Sequence, residues 1–360
     1  MANKILHLLF LLLSMTACIE ETNLDTPDKE KGAIVIQGKL SIAEKGYAEA
    51  YISRTFAFSG ATTGPIDVLK ASVSISDDEG NSIQLEGGLL DGYYRANFDL
   101  GTSPLKTAPG TKYRIQIKTI DNKSYQSSFE EMPELPVPDS LRVEKENKEI
   151  IKPSGLPYSI DVLKVFINTP LRAGGKKRRI VWTIGSTFKL TDTPSLCNWY
   201  PNETPAPKTC YVDAYVFTYK NLFFDGSAVS IDELKDYPLF ERSPSIQFAE
   251  GLYFNVIQQS LNKDAFEYLK NSQELLERTG SMFDQLPGLL HSNMVNVDDE
   301  KEAVYGFFYP TMEDTIRVYV SPELAGNPDA ICPQSYSDKR CCDCLTAPNS
   351  STRKPPFWEF

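Results

Sequence analysis

Ala71-Ser72-Val73-Ser74-Ile75-Ser76 alternates apolar and hydroxyl side chains residue by residue. A repeat of two belongs to an extended chain, so Ala71, Val73 and Ile75 should face a core and the serines water. Asp77-Asp78-Glu79-Gly80-Asn81 then supplies a turn into Ile83-Gln84-Leu85. Ile34-Val35-Ile36, residues 47–54, residues 93–98 behind Gly92, Tyr113-x-Ile115-x-Ile117 behind Pro109-Gly110, and residues 124–129 behind Asp121-Asn122-Lys123 read the same way. Seven short strands within residues 33–132 predict an immunoglobulin-like or transthyretin-like sandwich of about 100 residues.

Pro133-Glu134-Leu135-Pro136-Val137-Pro138 follows, and three prolines in six residues predict a stiff linker over 133–138. Residues 139–360 then read as a second β-rich domain with one inserted helix, which makes the whole chain mainly β. Its strands are expected over 159–168, 179–190, one or two within 211–224, and a closing hairpin from 303–309 and 315–320. The helix is expected near 263–278. Asn262 can cap it, Asp264 and Glu267 favour its first turn, Ala265, Phe266, Leu269 and Leu276 share one face, and Gly280 stops it. Gly174-Gly175-Lys176-Lys177-Arg178-Arg179 gathers four cations. They suit a phosphate or acidic partner, or simply a solvated hairpin turn.

At the other end, Lys4 precedes an apolar run over residues 5–13, and Ser14-Met15-Thr16-Ala17 leads to Cys18. That run is too short to cross roughly 30 Å of hydrocarbon and has the layout of a secretory signal. Small residues before a cysteine predict a lipoprotein signal peptide over 1–17, with Cys18 acylated as the lipid anchor. Residues 18–32 are polar, acidic and aperiodic, which predicts a flexible tether. The net charge of −11 becomes −12 once Lys4 leaves with the leader, an unfavourable balance for nucleic acid or an anionic lipid surface. His7 leaves as well, so His291 alone remains; it is read as structural, and most histidine-dependent catalysis and metal binding is lost.

Six cysteines accompany Cys18: Cys197, Cys210, Cys332, Cys341, Cys342 and Cys344. Thiolates at the last four positions suit zinc or an iron–sulfur cluster, but an exported chain favours disulfides, for which six cysteines allow 15 connectivities. Cys197 and Cys210 flank a proline-rich loop bearing Trp199 and Tyr200 and form the natural local pair, stapling either a contact surface or a cover over the core. Neighbours Cys341 and Cys342 are badly placed to bond each other, so each is expected to pair elsewhere, one of them with Cys332. Asp298-Asp299-Glu300 offers carboxylates for calcium or for glycoside hydrolysis, or a solvated turn.

Several short motifs recur in an order that resembles a known family. They are Gly280-Ser281-Met282-Phe283-Asp284, Pro287, Asn293-Met294-Val295-Asn296-Val297, Val304-Tyr305-Gly306-Phe307-Phe308, Cys341-Cys342-Asp343-Cys344 and Pro356-Phe357-Trp358. The chain is similar to the Bacteroidota outer-membrane lipoproteins grouped as domain of unknown function 4249. That resemblance implies a cell-surface lipoprotein that captures substrate beside a TonB-dependent receptor, with no catalytic residue to carry over. In such lipoproteins an acidic cluster behind the lipid cysteine, here Glu20-Glu21, resembles a surface-export signal; a plain linker is the other reading. Asp139-Ser140-Leu141 and Asp314-Thr315-Ile316 resemble O-glycosylation acceptor motifs, against the plainer readings of a turn and a strand. The expectation is therefore a lipid-anchored outer-membrane binding or accessory protein, with no enzyme activity, cofactor or nucleic-acid partner and an unspecified ligand. A structural or adhesive envelope protein is the alternative, and a carboxylate-dependent hydrolase a third.

Overall fold

A computed structural model describes residues 32–55, 65–197, 204–216, 220–277, 290–332 and 338–360. The expected leader, Cys18, the tether up to residue 31, Trp199, Tyr200, Gly280 and the motif around Pro287 lie outside the described residues. The first unit comprises β1 (Ile34–Ile42), β2 (Gly46–Arg54), β3 (Ile66–Asp67), β4 (Ser72–Asp77), β5 (Ser82–Gly87), β6 (Tyr93–Phe98), β7 (Lys112–Lys118), β8 (Ser124–Ser127) and β9 (Glu130–Glu131). β3 and β9 are two-residue bridges, which leaves the seven strands expected. β4 is the quoted stretch: Val73 and Ile75 are fully buried and Ser72 is exposed. Ser76 departs from the pattern because it is buried, its hydroxyl donating to Gln116 Oε1 at 3.3 Å. β1, β2 and β6 form one layer, and β5, β4, β7 and β8 the other. Ile36, Leu40, Ile52, Ile75, Tyr113 and Ile115 fill the space between them. Buried Tyr94 keeps its polar end satisfied, donating to the Val68 carbonyl at 2.8 Å and accepting from the Ala71 N–H at 2.9 Å.

The second unit contains β10 (Ser140–Ile151), β11 (Pro157–Pro170), β12 (Arg172–Ala173), β13 (Lys176–Lys177), β14 (Arg179–Thr191), β15 (Thr209–Tyr215), β16 (Leu222–Asp225), β17 (Glu233–Arg242) and β18 (Leu252–Leu261). The three-stranded sheet β10-β11-β17 packs over β14 and β18, and Val165, Ile167, Trp182, Phe240 and Phe254 meet between them. Trp182 Nε1 donates to Gln258 Oε1 at 2.7 Å, and the Gln258 amide donates to Thr169 Oγ1 at 3.1 Å and the Pro136 carbonyl at 2.5 Å. The 133–138 linker is thus docked on the second core through a fully satisfied buried glutamine. The cation run is a hairpin in which Lys176 is exposed and Lys177, Arg178 and Arg179 are half-buried, so the expected solvated turn is corrected. Gly174 and Gly175 adopt positive φ at its turn, Lys177 pairs with Asp232, Arg178 with Glu134 and Arg179 with Asp225.

The remaining elements are α1 (Lys263–Glu277), β19 (Met294–Asn296), β20 (Val304–Val320), the one-turn helix α2 (Lys339–Cys342) and β21 (Ser350–Ser351). Asn262 Oδ1 caps α1 by accepting the Ala265 N–H at 2.9 Å, and Ala265 and Phe266 are buried. Leu276 is 79% exposed instead of packed, because only the first half of the helix meets the sheet.

The expected hairpin over 303–320 is corrected: it is one 17-residue strand. Residues 304–312 of β20 run parallel to β1, and residues 312–320 run antiparallel to β18. One strand therefore carries a single sheet through both units. The division at 133–138 is corrected in the same way, since β19 pairs with β8, and Met294, Val304 and Phe308 lie in the first core. A parallel pair between segments some 270 positions apart leaves no local mark in the sequence.

Pairing of Cys197 with Cys210 is also corrected. The bonds are Cys197–Cys342, Cys210–Cys344 and Cys332–Cys341. Both loop cysteines bond to the tail because β21 lies against β15, which carries Cys210. The tail is pinned further by Trp358, which is buried with its ring 5.0 Å from Tyr211 and 5.1 Å from Tyr253.

Candidate functional site

Alternation along β1, β2, β6 and β20 gives their shared layer two different faces. One side chain in two points into the first core, and the other face carries Gln37, Lys39, Glu49, Tyr51, Tyr93, Arg95, Phe307 and Tyr309. Cross-strand register places Lys39 opposite both Glu49 and Tyr309, Gln37 opposite Tyr51 and Phe307, and Tyr51 opposite Tyr93. This is not an ordinary wet face, because β20 closes one side of it and α1 rises beside β20. Tyr268 of α1 stacks on Phe307 with ring centres 4.9 Å apart, and Leu269 and Ser272 complete a wall. Between that wall and the Tyr51–Tyr93 ring pair, 4.6 Å apart, lies a cleft of about 260 Å³.

A polar network lies at the end of the cleft. Lys39 Nζ donates to Tyr47 Oη at 2.6 Å and to Glu313 Oε2 at 3.1 Å, and Tyr47 Oη donates to the same carboxylate oxygen at 3.3 Å. The Lys39 and Glu313 side chains are 12% and 10% exposed, so the ion pair is largely desolvated. Burial works against the lysine charge, but Tyr309 and Glu313 outweigh it, and the ammonium pKa is raised above its ordinary value. Burial, and then the Glu313 charge, push the Tyr47 phenol up, and burial pushes Tyr309 up to about 12. All three groups keep their protons at neutral pH. They donate hydrogen bonds or hold charge, and none is poised as a nucleophile or base.

Lys39→Met is expected to cost about 3 kcal/mol, because it strands the Glu313 carboxylate in a desolvated site. Adding Glu313→Gln should recover most of that loss, and thermal unfolding of the two variants measures both arms.

The sequence-predicted candidates do not gather in this cleft. Asp298, Asp299 and Glu300 are exposed in a turn at the end of the sheet, where Asp298 accepts the Ser124 N–H and Asp299 the Lys301 N–H. Beside them Glu302 accepts from Lys123 at 2.7 Å, Asn296 at 2.8 Å and Tyr125 at 3.0 Å. Its partial burial opposes ionisation, but those three donors prevail and hold its pKa below the usual glutamate value. A depressed carboxylate contributes stability that is present above its unfolded pKa and is lost as pH falls through the folded one. Glu302→Gln should therefore cost roughly 1–2 kcal/mol near neutrality and nothing once the pH lies below the folded carboxylate pKa. Melting temperatures of both proteins across the acidic range check this.

His291 is exposed on a polar groove with Asp264, Glu130 and Asn293. Ser140 is exposed at the start of β10, its hydroxyl accepting from Asn168 at 2.9 Å, and Thr315 is half-buried within β20. Among the described residues no three His, Cys, Asp or Glu side chains gather to hold a metal, and no helix is long and apolar enough to cross a membrane. Sequence reading missed Lys39, Tyr51, Tyr93, Tyr268, Phe307, Tyr309 and Glu313 as a group. The available signal was the run of large polar and aromatic residues on alternate positions of β1, β2 and β20.

Fold and cleft together define a mainly β protein whose two units share one sheet and whose aromatic cleft opens beside the shared strand. The chain belongs to the family described as Domain of unknown function (DUF4249), whose model matches residues 19–317. The Gly280 to Phe308 motifs fall inside that match, and the cysteine-rich tail falls beyond it. A search of curated proteins finds no match to the chain.

Proposed function

We propose that this chain is a lipid-anchored outer-membrane protein, exposed at the cell surface, that holds a small ligand in the cleft beside β20 and serves a TonB-dependent receptor. The observation that carries this reading is the cleft itself: an aromatic-walled concavity with a few converging polar groups is the usual form of a ligand site. Lys39, Tyr47 and Tyr309 are all held protonated, which supplies the cleft with hydrogen-bond donors. Lys39 and Glu313 neutralise each other, and the rings of Tyr51, Tyr93 and Tyr268 favour a ligand with flat faces and hydroxyl or amide groups. Anchoring through Cys18 and the receptor partnership rest on the leader and on the family resemblance. Purifying the native lipoprotein from detergent-solubilised outer membranes tests the proposal. Recovery with a large β-barrel protein supports it, and recovery as a lone monomer under mild detergent removes the receptor partnership.

A structural or adhesive role is the second reading. It is favoured by the unbroken sheet through β20 and the three disulfides, which suit a rigid spacer. Deletion that weakens the envelope or attachment while nutrient uptake continues would select this reading over the first.

A further inference from the structure

Strand register fixes which loops share one end of the first unit. Ile34 pairs with both Arg54 and Val304, and Arg54 pairs with Ile66. The Gly92 carbonyl accepts the Ile52 N–H, Ser72 pairs with Lys118, and Lys118 pairs with Ser124. Segments 65–71, 87–92 and 119–123 therefore converge at the end where the described chain begins. They carry Leu90 at 94% exposure, Leu89 and Ile120 at 71%, Ile66 at 49% and Leu69 at 37%. The leucines are held outward by a fixed turn. Gly87 and Gly88 adopt φ of +133° and +66°, the Gly88 N–H donates to the Tyr93 carbonyl, and the Lys70 N–H donates to the Gly88 carbonyl. Such a cluster of bare aliphatic side chains on a fixed scaffold marks a contact surface.

Chain entry identifies what that surface meets. The Gly32 N–H donates to Thr55 and Arg54 donates to the Gly32 carbonyl, so the tether joins the fold at this same end. Cys18 and Gly32 are fourteen positions apart, which limits their separation to at most about 50 Å. The acyl chains would thus hold these loops within reach of the bilayer. Electrostatics does not drive the contact, because Asp67, Asp91, Asp121 and the 298–300 acids outnumber Arg54, Lys70, Lys118 and Lys123. Apolar insertion into the headgroup–acyl boundary needs no such attraction.

We infer that Ile66, Leu69, Leu89, Leu90 and Ile120 form a second membrane contact, dipping into the leaflet that holds the Cys18 lipid. This rests on the lipid-anchor reading, and the experiment separates the two. The full-length lipidated chain carrying Leu90→Trp is reconstituted in phosphatidylcholine vesicles with or without brominated acyl chains. A parallel Leu156→Trp variant at the β10–β11 turn serves as the control. Trp182, Trp199 and Trp358 also emit, so the wild-type spectrum is subtracted. The inference expects the emission added by Leu90→Trp to be shifted to the blue and largely quenched in brominated vesicles, with that added by Leu156→Trp unchanged. Protein that floats with vesicles but shows no quenching at position 90 overturns the second contact and leaves the anchor standing. Protein that does not float overturns the anchor and the contact together. A position-90 tryptophan shielded only by an added solubilised receptor overturns the inference in favour of protein docking.

Discussion

Substituting valine for Gly306 is expected to prevent the protein from folding to a soluble form. Gly306 has φ of +107°, and a Cβ there would stand 1.9 Å from the Ile36 carbonyl oxygen and 2.6 Å from its carbon. No side-chain rotation relieves a clash with backbone, so β20 would have to leave β1 along the pair that joins the two units. Lost conformation and lost packing together exceed about 4–5 kcal/mol, a large part of the stability of an ordinary domain. Gly101→Val is the matched control. Gly101 is exposed with nothing within 4 Å of a built Cβ, and its change should lie within about 0.5 kcal/mol. Soluble yield and circular dichroism of the two variants decide the matter, and a well-folded Gly306→Val protein would contradict the shared-strand architecture.

Breaking both long disulfides is the second large effect, and it should exceed twice the effect of breaking one. Cys197–Cys342 and Cys210–Cys344 span 145 and 134 positions and run side by side. With one intact, the other closes a ring of only about 15 residues, so replacing a single pair with alanines should cost about 3 kcal/mol. Replacing both pairs releases a loop of well over a hundred residues and should cost about 8 kcal/mol in total. The tail would also lose its seat, because Trp358 and β21 depend on the cysteines that hold residues 342–344 against β15. Melting temperatures of the two single-pair variants and the double-pair variant measure this. Equal and additive losses would contradict the side-by-side pairing.

Local patterns were legible and long-range partners were not. The alternation at Ala71–Ser76 located β4, and the Asn262 cap with Ala265 and Phe266 located α1, because a period and a cap are written in consecutive residues. Residues 310–314 are expected only as the connection between hairpin strands 303–309 and 315–320. They stand in a strand that changes partners at Met312, passing from β1 to β18. The cysteine pairing failed for the same reason, since chain distance between Cys197 and Cys210 counted for less than the docking of the tail. The cleft was the least legible feature. Nothing in the sequence around Lys39, Glu49 and Tyr51 marks a pocket, and only β20 and α1, more than 210 positions away, turn that strand face into one.

The central claim is that the cleft beside β20 engages a ligand or receptor in the cell. Placing a photo-crosslinking phenylalanine analogue at Tyr93, on its open rim, tests this most directly. Illumination of intact cells followed by purification of the protein should give a discrete adduct at position 93, and Lys39→Met with Glu313→Gln should weaken it. An unmodified mass from the Tyr93 probe, alongside a clear adduct from the same probe at Leu156, would contradict the account.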